Sequence, residues 1–357
     1  MGVTAAKPLV SVIVPAFNAE ATLFETLRSV QAQTYANIEM LIVDDGSKDD
    51  TRNIAAEFCK GEPRARLLTK KNGGVASARN LGIAEAKGDW VAPVDADDLW
   101  HPTKIEKQLA AALAAPELPG FVYCWYHNID DEGKVISSGP RWRIEGHALR
   151  ELAYCNPVQN GSALLLLRDA VVKVGGYDPA LRDCGSEGCE DVMIQLRIAQ
   201  HYPVAIVSEH LVGYRKHSSS MSSNNEQIIR SWRLVYQRLA AAGFNFSPRL
   251  MQWNEGFFKM ALAQNFAARR RYGEALSHLA SGVRLDPVRW MTYVFYRLAR
   301  TSLRLLRGRR PRPTRVPFAE VDPHSFIEPD PDAIRSLERL VTAIDLKRLE
   351  GLAKVQR

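Results

Sequence analysis

Three carboxylates crowd into four positions of the stretch "WVAPVDADDLWHP", at Asp95, Asp97 and Asp98. They follow an apolar run of the kind that forms a buried strand, and like charges held so close repel one another. One aspartate at a strand end has an ordinary use as the cap of the next helix, and Asp98 fits that use. An Asp-x-Asp pair suits a divalent cation better, above all with a second acidic pair, Asp44–Asp45, closing another apolar run. Hard ions such as Mg2+ and Mn2+ take oxygen ligands, stay partly hydrated and bind phosphate as well.

The elements that must hold these groups are legible around them. "LVSVIV", "IEMLIV", "ARLLT" and "WVAPVDA" read as strands, and amphipathic helical stretches separate them. Thr22 and Glu25 are spaced as a capping box, Gly88 as a helix stop, and Pro102 as the first residue of a helix. Repeated strand–helix units imply an α/β fold with a mostly parallel sheet covered on both faces. Ligands of such sheets bind beyond the carboxyl ends of the strands, which puts Asp44, Asp45, Asp95 and Asp97 at one mouth. From Phe121 the pattern loosens, with "FVYCWY", "ALLLLR" and "VAIVS" as further strands among glycine-rich loops. After Asn225 it turns helical, with one tetratricopeptide-like helix pair and then the arginine-rich stretch Val288–Arg312. The expected domains are 1–225 (catalytic), 226–316 (helical) and 317–357 (tail).

"VSVIVPAFNAEATLFETLRSVQAQTY", "LIVDDGSKDDT", "NGGVASARNLGIAEAKGDWVAPVDADDLWHPTKIEKQ", "GCEDVMIQLRIA" and "YRKHSSSMS" occur in that order. Over Val10 to Ser222 the chain resembles glycosyltransferase family 2, inverting enzymes of the GT-A fold. The resemblance implies a GT-A domain with a C-terminal helical extension, a nucleotide-sugar donor, and Mn2+ or Mg2+. It implies that Pro15, Phe17 and Asn18 line the base pocket and that Asp45 hydrogen-bonds the uracil of a UDP-sugar, as an acceptor-only carboxylate can. Arg79 falls near base or diphosphate, Asp95 on the ribose side, and Asp97 and His217 at the metal. Asp191 is the expected catalytic base, because a carboxylate within reach of an acceptor hydroxyl can take its proton. Glu190 is the fallback base. Both also open a helix, where capping is the ordinary role. Trp125, Trp142 and Tyr177 are either core residues or platforms for sugar rings.

Composition agrees with a globular enzyme: 357 residues, 46% hydrophobic and 24% charged, with a net charge of +7 concentrated in arginines between Arg289 and Arg315. Five cysteines match no zinc spacing and read as buried or half-exposed thiols in a reducing cytosol. No secretory signal is expected at the start and no membrane span elsewhere, so the "NGS" at Asn160 reads as a chance sequon. Three readings stand for Val288–Arg312: a solvated basic helix, a helix at the inner face of the plasma membrane, or a nucleic-acid contact without a supporting fold. The membrane reading suits a glycan or lipid-linked acceptor in surface polysaccharide synthesis. The rivals are a nucleotidyltransferase, which lacks its phosphate loop after the first strand, and a non-catalytic scaffold using the C-terminal helices. A dehydrogenase is disfavoured because no G-x-G-x-x-G follows a strand.

Overall fold

The apolar runs become strands of one sheet in the computed structural model, which describes residues 7–185, 188–216, 225–307, 315–325 and 331–355. β1 (Val10–Ala16) is buried along its whole length, and so is nearly all of β2 (Ile38–Asp44), as strands covered on both faces require. α1 (Leu23–Gln31) connects them, and α2 (Thr51–Gly61), β3 (Ala65–Thr69), α3 (Val75–Glu85) and β4 (Trp90–Pro93) continue the alternation. β1 pairs in parallel with β2 and β4, and β2 with β3. Ala16, Asp44 and Thr69 stand in register at the carboxyl ends, while β4 stops early, with Pro93 opposite Ile13. The acidic turn occupies the space that this early stop leaves.

Beyond β4 come β5 (Leu99–Trp100), α4 (Lys104–Ala114), β6 (Phe121–Ile129), β7 (Val135–Ser138), α5 (Leu149–Cys155), β8 (Leu164–Leu167), α6 (Arg168–Lys173), α7 (Ala180–Asp183), α8 (Glu190–Ala199) and β9 (Val204–Arg215). The strand order is β3-β2-β1-β4-β8-β6-β9-β5, with β7 paired to β6. β8 runs antiparallel to both β4 and β6, so the sheet is parallel at one end and mixed at the other.

Two compact units divide the chain: 1–148 with 157–220 and 315–325, and 149–156 with 221–314 and 326–357. α5 belongs to the helical unit, and 315–325 to the sheet unit. The helical unit holds α5 with α9 (Asn225–Ala241), α10 (Pro248–Ala268), α11 (Tyr272–Leu285), α12 (Pro287–Arg307) and α13 (Pro331–Val355). Its core joins Met260 and Ala263 of α10 to Trp290 of α12. Arg289, at the start of the basic stretch, is buried and ion-paired with Asp345, and Arg348 reaches Asp286 at 2.6 Å.

Three local expectations are corrected. Thr22 and Glu25 make no capping box: the Thr22 hydroxyl donates to the Ala96 carbonyl (2.8 Å) and Glu25 pairs with Arg215 (2.6 Å). Gly88 lies past the end of α3, and it is small because a Cβ there would meet the Leu9 carbonyl oxygen at 2.5 Å. Pro102 precedes α4 by two residues. Cys124, Cys155 and Cys189 are buried, and Cys184 is exposed.

Two histidines in the sheet unit give a pH prediction. His127 on β6 and His210 on β9 stack at 4.3 Å and are buried. Burial pushes His127 down to about 4; burial and then the His127 charge push His210 down to about 3. Both are neutral in the fold, whereas the unfolded chain protonates them near pH 6.5. Their contribution to stability is complete above about pH 6.5 and drains away as the pH falls towards 4. Thermal melts between pH 7.5 and 5 are expected to slope downward with acid, and His127→Gln to flatten that slope; an unchanged slope would exclude the pair as its source.

Candidate active site

Arg79 lies on α3, which follows the N-cap residue Gly74, whose φ of 84° a side chain would strain. Small residues let this helix lie close on the sheet: a Cβ at Gly82 would overlap Ile13. The close approach buries the Arg79 guanidinium, which is 2% exposed. It donates through Nη2 to Asp95 at 2.6 Å and through Nη1 to Asp191 at 2.7 Å. Three residues separated by up to 112 positions in sequence thus meet at one cation. The ring of Tyr177 covers that cation, 5.2 Å from its centroid. Tyr177 is buried, which makes it a wall of the Arg79 site rather than a sugar platform, and Trp125 is buried too.

Asp191 and Glu190 open α8, as the sequence suggests. Burial pushes Asp191 above the ordinary aspartate range; Arg79 pulls it back and Asp95 adds to the rise. Glu190 is buried, accepts the Gly188 amide hydrogen through both oxygens (3.1 and 2.9 Å), and is pushed up to about 7 by burial and by the Asp191 charge. A carboxyl raised from 4.5 favours the fold while protonated, and that stability is lost as the pH rises through 7. Glu190→Gln is therefore expected to stabilise the protein at pH 8.5, by up to about 3 kcal/mol, with little gain at pH 4.5. Melting temperatures at the two pH values check this; an equal change at both would show that charge is not the cause.

The acidic turn is held from several sides. Asp98 is fully buried and accepts from the Ser162 hydroxyl (2.6 Å), the Asn160 amide (3.3 Å) and the Arg215 backbone N–H (3.0 Å). Burial, then the charges of Asp97 and Asp95, push it well above the usual carboxylate range. The buried Arg215 side chain donates to the carbonyls of Asp97, Asp130 and Asp131 and to the Glu25 carboxylate. Asp95 and Asp97 remain half-buried at the mouth. Beside them Lys216 is lowered to about 8 by burial, against the opposing pull of Asp98 and Asp97.

On the nucleotide side, Pro15, Phe17, Asn18 and Asp45 gather around the ends of β1 and β2. Pro15 is buried and Phe17 is 46% exposed. Asn18, at φ 50°, accepts from Lys48 N–H (2.9 Å), and its own N–H donates to the Ser47 hydroxyl (3.1 Å). Asp45 is buried, and its oxygens already accept from Lys70 (2.6 Å), Asn72 (3.3 Å) and the N–H groups of Gly73 and Gly74 (2.7 Å for the latter). In this structure it clamps the start of α3 more than it presents itself to a ligand. His217 lies outside the described residues. A groove of about 620 Å³ between α1 and α2, lined in part by Phe24, Ile54 and Phe58, contains none of the acidic mouth.

Among the described residues no cluster of three or more His, Cys, Asp or Glu forms a complete metal cage. Asp95 and Asp97 are half-buried carboxylates at the mouth, Asp95 is paired with Arg79, and the charges of both push Asp98 up. Two carboxylates leave most of the ligand positions to water and phosphate, which is how Mg2+ and Mn2+ are commonly bound.

Sequence reasoning missed the roles of Asn160, Ser162 and Arg215. Asn160 and Ser162 sit in the "NGS" set aside as a chance sequon, and Arg215 lies in "YRKHSSSMS", where only the histidine was singled out. An arginine closing an apolar strand was the available signal, because such a charge needs buried partners.

Comparison with known proteins places this geometry. Residues 11–173 match the sequence profile described as Glycosyl transferase family 2. An uncharacterized glycosyltransferase of Rickettsia prowazekii (strain Madrid E) is 34% identical over 179 residues, covering 49% of this chain and 55% of that protein. A mannosyltransferase from Pyrobaculum calidifontis, solved with GDP-Man and Mn2+, superposes with a TM-score of 0.57 at 19% identity, over 84% of this chain and 81% of that one. Staphylococcus aureus TarS 1–349, solved with UDP-GlcNAc, gives 0.54 at 19% identity, over 79% and 82%. At those identities the likeness establishes the fold, and the expected GT-A architecture is the one observed. The chain spans about half the length of the Rickettsia prowazekii relative, and 24% of a longer one from Rickettsia conorii.

Proposed function

We propose, from the premise that residues 11–173 of this chain belong to glycosyl transferase family 2, that the protein is a metal-dependent inverting glycosyltransferase. It moves a sugar from a UDP-sugar to a hydroxyl of a glycan or lipid-linked acceptor. The observation that carries this reading is Arg79 joining Asp95 and Asp191, since one buried cation brings the donor side and the proton acceptor together.

The step is a single displacement at the anomeric carbon. The acceptor oxygen forms the new bond as the bond to the diphosphate oxygen breaks, and the electron pair leaves with the nucleoside diphosphate. Asp191 takes the acceptor's proton; its raised affinity for protons suits that task. Arg79 supplies fixed positive charge where the leaving diphosphate becomes more negative. Asp97 would hold Mn2+ or Mg2+, which would neutralise charge on the same diphosphate, with Asp95 on the ribose side. Asp45 and the loop of Pro15, Phe17 and Asn18 receive the base; for uracil, Asp45 gives up one of its partners in the segment 70–74 that precedes α3. His217 remains a proposed metal neighbour. Names of similar proteins support a nucleotide-sugar donor, since one neighbour was solved with UDP-GlcNAc and another with GDP-Man and Mn2+.

A thermal-shift series of nucleoside diphosphates with Mn2+ tests this reading. UDP with Mn2+ is expected to raise the melting temperature most, because a ligand bound only to the native state stabilises by mass action. A flat response to every nucleotide would overturn it.

We also propose that the helical unit meets an anionic membrane surface, in keeping with work on a lipid-linked acceptor at the inner face of the plasma membrane. Val288, Met291, Val294, Phe295 and Leu298 of α12 are exposed, in a stretch whose sequence is rich in arginine. No helix of the described residues is long and apolar enough to cross a membrane. The full chain is expected to float with vesicles containing phosphatidylglycerol; flotation equal to that with neutral vesicles would count against the idea. No nucleic-acid partner is proposed.

A further inference from the structure

A single helical turn of the 3-10 type, Gly161–Ala163, lies between α5 and β8 and touches both ends of the proposed reaction. Ser162 is fully buried. Its hydroxyl accepts from the Asp95 backbone N–H at 3.0 Å and donates to Asp98 at 2.6 Å, so one oxygen fixes both flanks of Asp97. Asn160 caps the turn by accepting from Ser162 N–H (2.7 Å) and donates to the same Asp98 oxygen (3.3 Å). Gly161 faces the other way. A Cβ there would sit 2.6 Å from one carboxylate oxygen of Asp191 and 2.9 Å from Nη2 of Arg79. Asp191 is already held by Arg79, so it has little freedom to step aside.

The turn is itself anchored by three side chains that also contact one another. Trp100 Nε1 donates to the Ser162 carbonyl (3.0 Å), Gln108 to the Ala163 carbonyl (2.9 Å), and the buried ammonium of Lys104 to the Leu164 carbonyl (3.3 Å). Three consecutive carbonyls are thus gripped from β5 and α4. Such anchoring exceeds what a connection needs, whereas geometry held within about 0.5 Å is what a reaction site needs.

We infer that the Asn160–Ala163 turn is a positioning element that sets the Asp97 carboxylate and the Asp191 carboxylate relative to each other, with Ser162 acting on the donor side and Gly161 on the proton-accepting side. Neither residue touches a reacting atom. The inference rests on the glycosyltransferase reading, and it separates the two binding and proton-transfer functions between adjacent residues.

Isothermal titration of UDP with Mn2+ into wild type, Ser162→Ala, Ser162→Thr and Gly161→Ala tests it, with turnover measured alongside. Ser162→Ala is expected to weaken Mn2+–UDP binding by at least about tenfold, the scale of one lost hydrogen bond to a charged partner. Ser162→Thr keeps the hydroxyl and is expected to recover most of that loss. Ser231→Ala, which removes an equally buried hydroxyl bonded to Gln227 in α9, is expected to leave the affinity unchanged. Gly161→Ala is expected to bind Mn2+–UDP within about threefold of wild type while kcat falls by about tenfold or more. If Ser162→Ala does not fold, the Gly161→Ala split between binding and kcat decides the matter. Wild-type affinity in Ser162→Ala, or unchanged kcat in Gly161→Ala, overturns the inference. Absence of Mn2+–UDP binding in wild type instead overturns the glycosyltransferase reading on which it rests.

Discussion

Asp191→Asn is expected to lower the rate of sugar transfer by about 10²–10⁴ while the affinity for Mn2+–UDP stays within a few-fold of wild type. The substitution keeps the shape and one oxygen to accept from Arg79 at the observed 2.7 Å contact. It removes the basic site, so nothing takes the acceptor's proton as the new bond forms. The pair of measurements matters more than either alone. A rate loss with intact binding assigns the residue to chemistry, and a matching loss of binding would recast Asp191 as a strut for Arg79. Transfer near the wild-type rate would transfer the role to Glu190, the adjacent carboxyl that burial pushes up to about 7.

Arg79→Leu should be the most damaging single change to the fold of the site. It removes the only cation that the described ion pairs place on Asp95 and Asp191, and it does so from a position 2% exposed. Breaking a buried pair by removing one partner costs about 3–5 kcal/mol, because charge is left behind without compensation. Here two carboxylates are left behind, and the Asp95 charge raises the affinity of Asp191 for protons. The deficit is therefore expected to be largest at pH 7.5 and smaller at pH 5, where protonation relieves the repulsion. Arg79→Lys should recover only part of the loss, since an ammonium lacks the planar fork that reaches both carboxylates at once. Thermal melts of the three proteins at both pH values check this; a deficit independent of pH would point to lost packing under Tyr177 instead.

The parallel half of the sheet was legible because buried strands are written as continuous apolar runs, and α1 to α3 fall where the helical periodicity puts them. The common mouth of Asp44, Asp45, Asp95 and Asp97 follows from that alternation alone. The mixed half was less legible. β8 is the uniformly apolar "LLLL", and its antiparallel insertion between β4 and β6 depends on pairings about 40 to 80 residues distant. The meeting of Asp95 and Asp191 at Arg79 is likewise a long-range fact, although each residue had been singled out separately. The misread features share one cause. Thr22, Glu25, Gly88 and Ser162 were judged against their sequence neighbours, whereas their partners (Ala96, Arg215, Leu9 and Asp98) come from elsewhere in the chain. Local rules for caps and sequons cannot see such partners.

The central claim is that the acidic mouth holds a cation carrying a diphosphate. Diffraction at the manganese absorption edge, from crystals soaked with UDP and MnCl2, tests it most directly. The account predicts an anomalous peak about 2.0–2.4 Å from a carboxylate oxygen of Asp97, with the diphosphate between that ion and Arg79. A peak elsewhere, with UDP bound away from the ends of β1, β2 and β4, would contradict it.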